Sequence, residues 1–245
     1  MAQSQYATVE RPPEGEGRQH RRRQRTRVRL LRAAYEVMSE RGVDGAKIKD
    51  ITDRADVGFG TFYNYFETKD EIAVHVLDCV INDIGRRNVE ATNSLRQSER
   101  RGDQVLVMPT SIRLWMHEAM RTAMWEWWAR RPDLLIDRMR RGFGPFGMRD
   151  MRDAIAAGVF NIAEHDVESL WGLAVWMMVG GMHDIVIQDY PPETEVVCVE
   201  SIMRAMGVEP ARAHEISSVP LPPFPPEHID WTFELAQRAK IDTAA

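Results

Sequence analysis

The chain is poor in cysteine, with Cys79 and Cys198 as the only two among 245 residues. This excludes a disulfide framework and any zinc-ligand spacing, so a reduced, cytoplasmic setting is expected. The N-terminus lacks the apolar core of a signal peptide. The longest uncharged apolar run, Leu170 to Met182, has 13 residues and contains Gly172, Gly180 and Gly181. A membrane span needs roughly 20 residues, so a buried helix and no membrane partner are expected. Convincing strand alternation is absent, as is any internal repeat. Also missing are a Gly-rich phosphate loop, a Ser–His–Asp arrangement and a paired-carboxylate motif. His117-Glu118-Ala119-Met120-Arg121 lacks the second histidine of a zinc-protease helix. His75 and Cys79, four apart, supply only two ligands. These absences point away from an enzyme, a metal centre and a cofactor.

A uniformly basic surface is also lacking, since the net charge is −5, but the charge is unevenly spread. Residues 1–70 hold 14 Lys/Arg against 11 Asp/Glu, and the remainder holds 18 against 26. Such segregation suggests a nucleic-acid-facing end and an acidic body. Between Arg18 and Arg32 there are eight arginines and no acid. Residues 1–24 read as a disordered basic arm.

Apolar residues, 44% of the chain, are enough for a real core, and their spacing is helical throughout. Helices are expected at about 25–40, 48–54 and 58–65. Thr68 should cap a fourth helix running toward residue 95, with Glu71 three residues on in capping-box register. Further helices are expected at 109–130, 132–142, 147–158, 166–188 and 193–206. Gly142-Phe143-Gly144-Pro145 reads as a loop, and Gly207 ends the last of these helices. A proline-rich stretch then leads to a short helix near 227–240. The fold class is all-α. Residues 25–72 form a three-helix DNA-binding domain with its helix-turn-helix at about 47–66, residues 73–208 a helical body, and 209–245 a proline-rich tail.

Ile48, Ile51, Ala55 and Val57 give the second helix an apolar side. Asp56 falls where the chain must turn, and aspartate tolerates left-handed geometry better than most residues. Phe62 and Phe66, four apart, can pin the third helix to the core. Its other face then presents Phe59, Gly60, Thr61, Tyr63, Asn64 and Tyr65. Hydroxyl, amide and phenol groups suit phosphates and base edges, so the partner indicated is double-stranded DNA.

This segment resembles the N-terminal domain of the tetracycline-repressor (TetR/AcrR) family of transcriptional regulators. The matching residues are Asp50-Ile51, Ala55, Val57, Gly60-Thr61, Tyr63, Phe66, Lys69 and Glu71-Ile72, covering roughly residues 25–75. The chain departs from the family at Asp56, often glycine there, and at Gly58, often serine, where a hydroxyl–phosphate contact is lost. The resemblance implies that Lys49 and Thr61 reach base edges, with Lys47 beside them. It implies that Tyr63, Tyr65 and Lys69 hold phosphates and that Phe59 meets a thymine methyl group. Arg25, with the arginines at 21, 22, 23 and 27, resembles an arm that enters a minor groove.

The segments 109–130 and 166–188 are rich in tryptophan and methionine. Such walls suit a malleable apolar pocket, and a simply filled core is the alternative. The candidate ligand-binding residues are Trp115, His117, Met120, Met124, Trp127, Trp171 and Met178, with His117 as a polar group to orient a ligand. The resemblance assigns helices 166–188 and 193–206 to a homodimer interface. The expected protein is a homodimeric repressor, released from a palindromic operator by an apolar or aromatic small molecule. A constitutive regulator of the same fold with a filled core is the alternative, and an enzyme using the apolar cavity ranks behind it.

Overall fold

Eleven α-helices and two single-turn 3₁₀ segments make up the computed structural model, which describes residues 14–98, 100 and 103–233. The all-α expectation holds: among the described residues there is no strand. The head comprises α1 (Glu14–Gly45), α2 (Ile48–Arg54) and α3 (Phe59–Phe62). The body comprises α4 (Lys69–Ala91), α5 (Asn93–Arg96), α6 (Val107–Ala119), α7 (Met124–Ala129), α8 (Pro132–Ala156), α9 (Val167–Ile187), α10 (Thr194–Ala205) and α11 (Pro210–Ser217).

Helix α1 begins at Glu14, well before the expected residue 25, so residues 14–24 are helical rather than a disordered arm. Arginine is a good helix former, and no proline follows until the helix is over. Leu30, Leu31, Ala34 and Met38 then anchor it in the core. Residues 1–13 of the expected arm lie outside the described residues. Gly42, at φ +70°, kinks the helix near its end. The capping expectation at Thr68 is met. Its hydroxyl accepts from the Glu71 N–H at 3.0 Å, while the Glu71 carboxylate accepts from the Glu67 N–H at 2.6 Å. The expected boundary at 72/73 falls inside α4, so head and body share one continuous helix.

In the body, the single helix expected at 109–130 is two, α6 and α7, with a turn between them. At 100° per residue a straight helix would point Trp115 and Trp128 to nearly opposite sides. The bend instead brings Trp115 edge-on to Trp125 at 5.9 Å, and Trp125 edge-on to Trp128 at 4.8 Å. The loop expected at 142–145 is absent, because α8 runs through it. Its glycines serve close packing instead. A Cβ on Gly142 would lie 2.4 Å from Ile81 of α4, and one on Gly147 would lie 2.2 Å from the Trp171 indole of α9.

The segment Glu164–Ile187 is long and apolar enough to cross a membrane, with mean hydropathy 1.5. Here its helix packs against α7, α8 and α10. A Cβ on Gly181 would stand 2.9 Å from the Cys198 sulfur, which marks the close approach of α9 and α10. Helix α11 was not anticipated. Pro210 opens it, and the Glu209 carboxylate accepts from the Arg212 N–H at 3.1 Å. Of the helix expected at 227–240, residues 227–233 are not helical and residues 234–240 lie outside the described part.

Candidate DNA interface and effector cavity

Asp56 adopts φ +50°, the left-handed turn expected between α2 and α3. Arg29 of α1 secures it, donating to the Asp56 carbonyl at 2.8 Å and its carboxylate at 3.0 Å. Phe62 of α3 and Phe66, just beyond its end, are buried with ring centroids 5.8 Å apart. The opposite face is open. Phe59 and Tyr63 are 52% and 51% exposed, edge-on at 5.7 Å. Gly60 and Asn64 are exposed beside them, and Thr61 and Tyr65 are half-buried. A Cβ added to Gly60 would meet nothing within 4 Å, so no contact inside the chain requires glycine there.

The cations of this region differ in what they already hold. Lys47 and Arg25 are exposed. Lys49 is exposed with its ammonium 2.6 Å from Asp53, a hydrogen bond that raises its pKa. Lys69 is half-buried and donates to the carbonyls of Asp44 and Ala46, each at 3.0 Å. It therefore ties the start of α4 to the end of α1. Arg23 lies over the Tyr65 ring at 5.9 Å. Aromatic rings, hydroxyls, an amide and cations thus share one accessible end of the head.

A cavity of about 60 Å³ lies in the body, between α4, α6, α8 and α9. This is room for roughly four to six water-sized groups. Its walls include Met108, Ile112, Phe143, Phe146 and Met178. Four lining residues carry buried polar atoms without a hydrogen-bond partner: Asn88 Oδ1, Ser111 Oγ, Trp115 Nε1 and Trp171 Nε1. The Arg96–Asp150 ion pair also lines it, with Arg96 Nη2 donating to Asp150 Oδ2 at 2.8 Å. The same pair borders a second cavity of about 370 Å³.

Of the expected ligand residues, Trp115, Trp171 and Met178 line this cavity. His117, Met120, Met124 and Trp127 do not. His117 is half-exposed, with Nε2 2.8 Å from Glu195. Met120 caps the end of α6, Met124 is buried at the start of α7, and Trp127 lies under the Arg131 guanidinium at 3.7 Å. The break between α6 and α7 turns these last residues away from the cavity. Asn88, Ser111, Arg96 and Asp150 were missed. One signal existed for Asn88, a polar residue four positions beyond Ile84 and seven beyond Ile81 on the apolar side of α4.

The family description "Bacterial regulatory proteins, tetR family" matches residues 30–76, and "Tetracyclin repressor-like, C-terminal domain" matches residues 103–219. Residues 220–233 lie outside both. The chain is 48% identical over 44 residues to the uncharacterized HTH-type transcriptional regulator YvdT of Bacillus subtilis (strain 168), covering 18% of this chain and 23% of that protein. It is 41% identical over 64 residues to the HTH-type transcriptional repressor DhaR of Mycobacterium sp. (strain GP1), covering 25% and 32%. The match thus spans at most a third of either relative. The crystal structure of RolR with resorcinol superposes with TM-score 0.74 at 25% identity, covering 84% of this chain and all of that one. RolR without ligand gives 0.70 at 25%, covering 80% and 99%. Sequence and fold agree across head and body: this chain belongs to the tetR family of bacterial transcriptional regulators.

Proposed function

We propose that the protein is a cytoplasmic, homodimeric DNA-binding repressor, released from a palindromic operator when a small hydroxylated aromatic molecule enters the body cavity. The observation that carries the ligand class is the set of four partnerless polar atoms in a largely apolar wall that also holds the Arg96–Asp150 ion pair. Two indole N–H groups need acceptors, the Asn88 oxygen needs a donor, and a phenolic hydroxyl is both. Burying unpaired polar groups is unfavourable, so a ligand that satisfies them gains affinity. RolR, similar in fold over its whole length, was solved with resorcinol, which supports the same class. The cavity favours this reading over a constitutive regulator with a filled core, and family membership argues against enzymatic activity.

DNA reading is assigned to Thr61, Tyr63, Asn64, Phe59 and Gly60, with Lys47, Lys49, Tyr65 and Arg25 around them. A four-residue recognition helix touches few bases, and two copies on a two-fold axis read a palindrome. The second copy is placed on α9 and α10. Leu173 and Trp176 of α9, Val197 of α10 and Tyr190 between the two helices are large apolar residues left more than half exposed, and a Cβ on Gly180 would meet nothing within 4 Å. Helix α4 links the two ends. Gly85, Asn88 and Val89 line the cavity, and Lys69 holds the end of α1. A ligand favouring one position of α4 shifts the spacing of the paired heads.

The test uses resorcinol and an operator fragment selected from random DNA by the protein. Calorimetry should show resorcinol binding, and fluorescence anisotropy should show operator affinity falling when it is added. Absence of binding, or binding without any change in operator affinity, refutes the proposal.

A further inference from the structure

Beyond α11, residues 219–233 run back across the body as an irregular, proline-rich strap that touches three helices. At the near end, Arg113 of α6 donates to the Val219 carbonyl. Midway, the Phe224 ring lies 4.3 Å from the Arg87 guanidinium of α4, and Arg87 Nη1 donates to the Pro225 carbonyl at 3.3 Å. The His228 N–H donates to Asp83 Oδ1, also on α4, at 3.3 Å. Farther on, the strap reaches α1, where the Tyr35 hydroxyl donates to the Glu227 carboxylate. The Tyr35 and Trp231 rings stand 5.3 Å apart, and Trp231 is buried. At the far end the Cys79 thiol of α4 lies 3.8 Å from the Phe233 carbonyl.

The strap spans as much as it fills. Between Leu221 and Glu227 it borders a cavity of about 580 Å³, which Arg87, His117 and Arg121 also line. The groups it grips on α4 are already fixed by the body. Asp83 and Arg87 pair at 2.7 Å, and Arg87 meets Glu118 of α6 at 3.2 Å, all three side chains nearly inaccessible. Asp83 and Arg87 lie about 200° around α4 from Gly85 and Val89, which line the effector cavity. One side of α4 therefore faces the ligand site and the other is clamped to the head helix through the strap. Burial first, then the hydrogen bond to Glu227, holds the Tyr35 phenol well above its ordinary pKa, so it remains a donor even in alkaline solution where a free phenol ionises.

We infer that residues 219–233 form a brace that fixes the angle between the DNA-reading head and the body, with Tyr35, Glu227 and Trp231 as positioning residues for operator binding. The inference rests on the DNA-binding reading above, and goes beyond it in assigning a role to a segment outside the family's matched stretches.

A brace sets the separation of the two heads, so its loss changes which half-site spacing is tolerated. The experiment uses full-length protein, the variants Trp231→Ala, Glu227→Gln and Tyr35→Phe, and the selected operator without effector. Base pairs are added or removed between half-sites in steps of about two, each step rotating one half-site by roughly 70°. The unaltered protein should bind its selected spacing at least about tenfold more tightly than the altered ones. In Trp231→Ala that ratio should fall at least about threefold, with smaller falls in Glu227→Gln and Tyr35→Phe, which keep size and shape. A strap that merely adds stability lowers Tm and leaves the ratio unchanged, and that result overturns the inference. The two conservative variants keep the test decisive if Trp231→Ala does not fold. A protein that selects no paired half-sites overturns the functional reading itself, and the brace with it.

Discussion

Gly60→Ala separates what α3 needs in order to fold from what it presents to a partner. A Cβ at this position meets nothing within 4 Å, and the backbone lies outside the left-handed region, so alanine fits without strain. In a helix interior, alanine is favoured over glycine by about 1 kcal/mol. Gly60 is the second residue of a four-residue helix, so about half of that, ~0.5 kcal/mol, is expected. For a chain of this size the gain corresponds to a rise in Tm of about 1–2 °C. The new methyl group would project from the face that holds exposed Phe59 and Tyr63. If that backbone is pressed against DNA, the methyl group holds α3 off the groove and weakens the contacts made by Thr61 and its neighbours. A well-made base contact discriminates by ~1–3 kcal/mol, so operator affinity should fall about tenfold or more. Thermal unfolding and anisotropy titration at one fixed salt concentration give both quantities. A raised Tm with unchanged operator affinity refutes the assignment of this face to DNA, and a lowered Tm refutes the packing argument.

Other substitutions probe the body. Gly147→Ala forces a Cβ to within 2.2 Å of the Trp171 indole; overpacking of this kind costs about 1–3 kcal/mol, so Tm should fall by several degrees and resorcinol binding should weaken, both read from one thermal-shift titration. Ser111→Ala removes a buried hydroxyl without a partner, so the ligand-free protein should gain up to about 1 kcal/mol in denaturant unfolding while calorimetry shows weaker resorcinol binding. Burial pushes the Asp78 carboxyl up to about 6, against the pull of Arg138. The folded state therefore holds this proton more tightly than the unfolded one. Its contribution, up to roughly 3 kcal/mol, is present below about pH 4 and is lost as pH rises through 6. The stability difference between the protein and Asp78→Asn, measured by denaturant titration, should shift across that window, and a flat difference refutes the assignment.

The head was legible because its requirements are local. Asp56 sits at a left-handed turn, Thr68 caps the helix it precedes, and Phe62 and Phe66 share one face of a short segment. Backbone geometry within a few residues dictates each of these. The body depends on residues distant in sequence. Gly142 and Gly147 read as helix breakers until Ile81 and Trp171 are seen against them. Tryptophan and methionine mark core and cavity alike, so Trp127 and Met124 could not be told from Trp171 and Met178 by residue type. Asn88 and Ser111 acquire meaning only when α4 and α6 pack together and leave their polar atoms without partners. The strap shows the same limit, because its prolines marked only where the helices stop, residues 227–233 were expected to be helical, and nothing in its sequence named Tyr35 as its anchor.

The cavity's chemistry is sufficient in size for the response proposed. A net hydrogen bond contributes ~0.5–1.5 kcal/mol, and effector coupling typically amounts to ~1–3 kcal/mol. Satisfying two of the four partnerless atoms in one conformation and not in the other therefore supplies the coupling. No rearrangement of the buried Asp83–Arg87–Glu118 network is required. The routes from cavity to head are short. Asn88 lies on α4, which reaches α1 through Lys69. Trp115 stands in the cavity wall and edge-on to Trp125, which is edge-on to Trp128 on α7, and α7 packs on α1. These three rings are at most 2% exposed, and an interior this closely packed has no slack to absorb a displaced indole. Both routes end on the helix that the strap holds through Tyr35. On the proposed reading, an effector would act by moving α1 against a brace rather than by unfolding or uncovering anything.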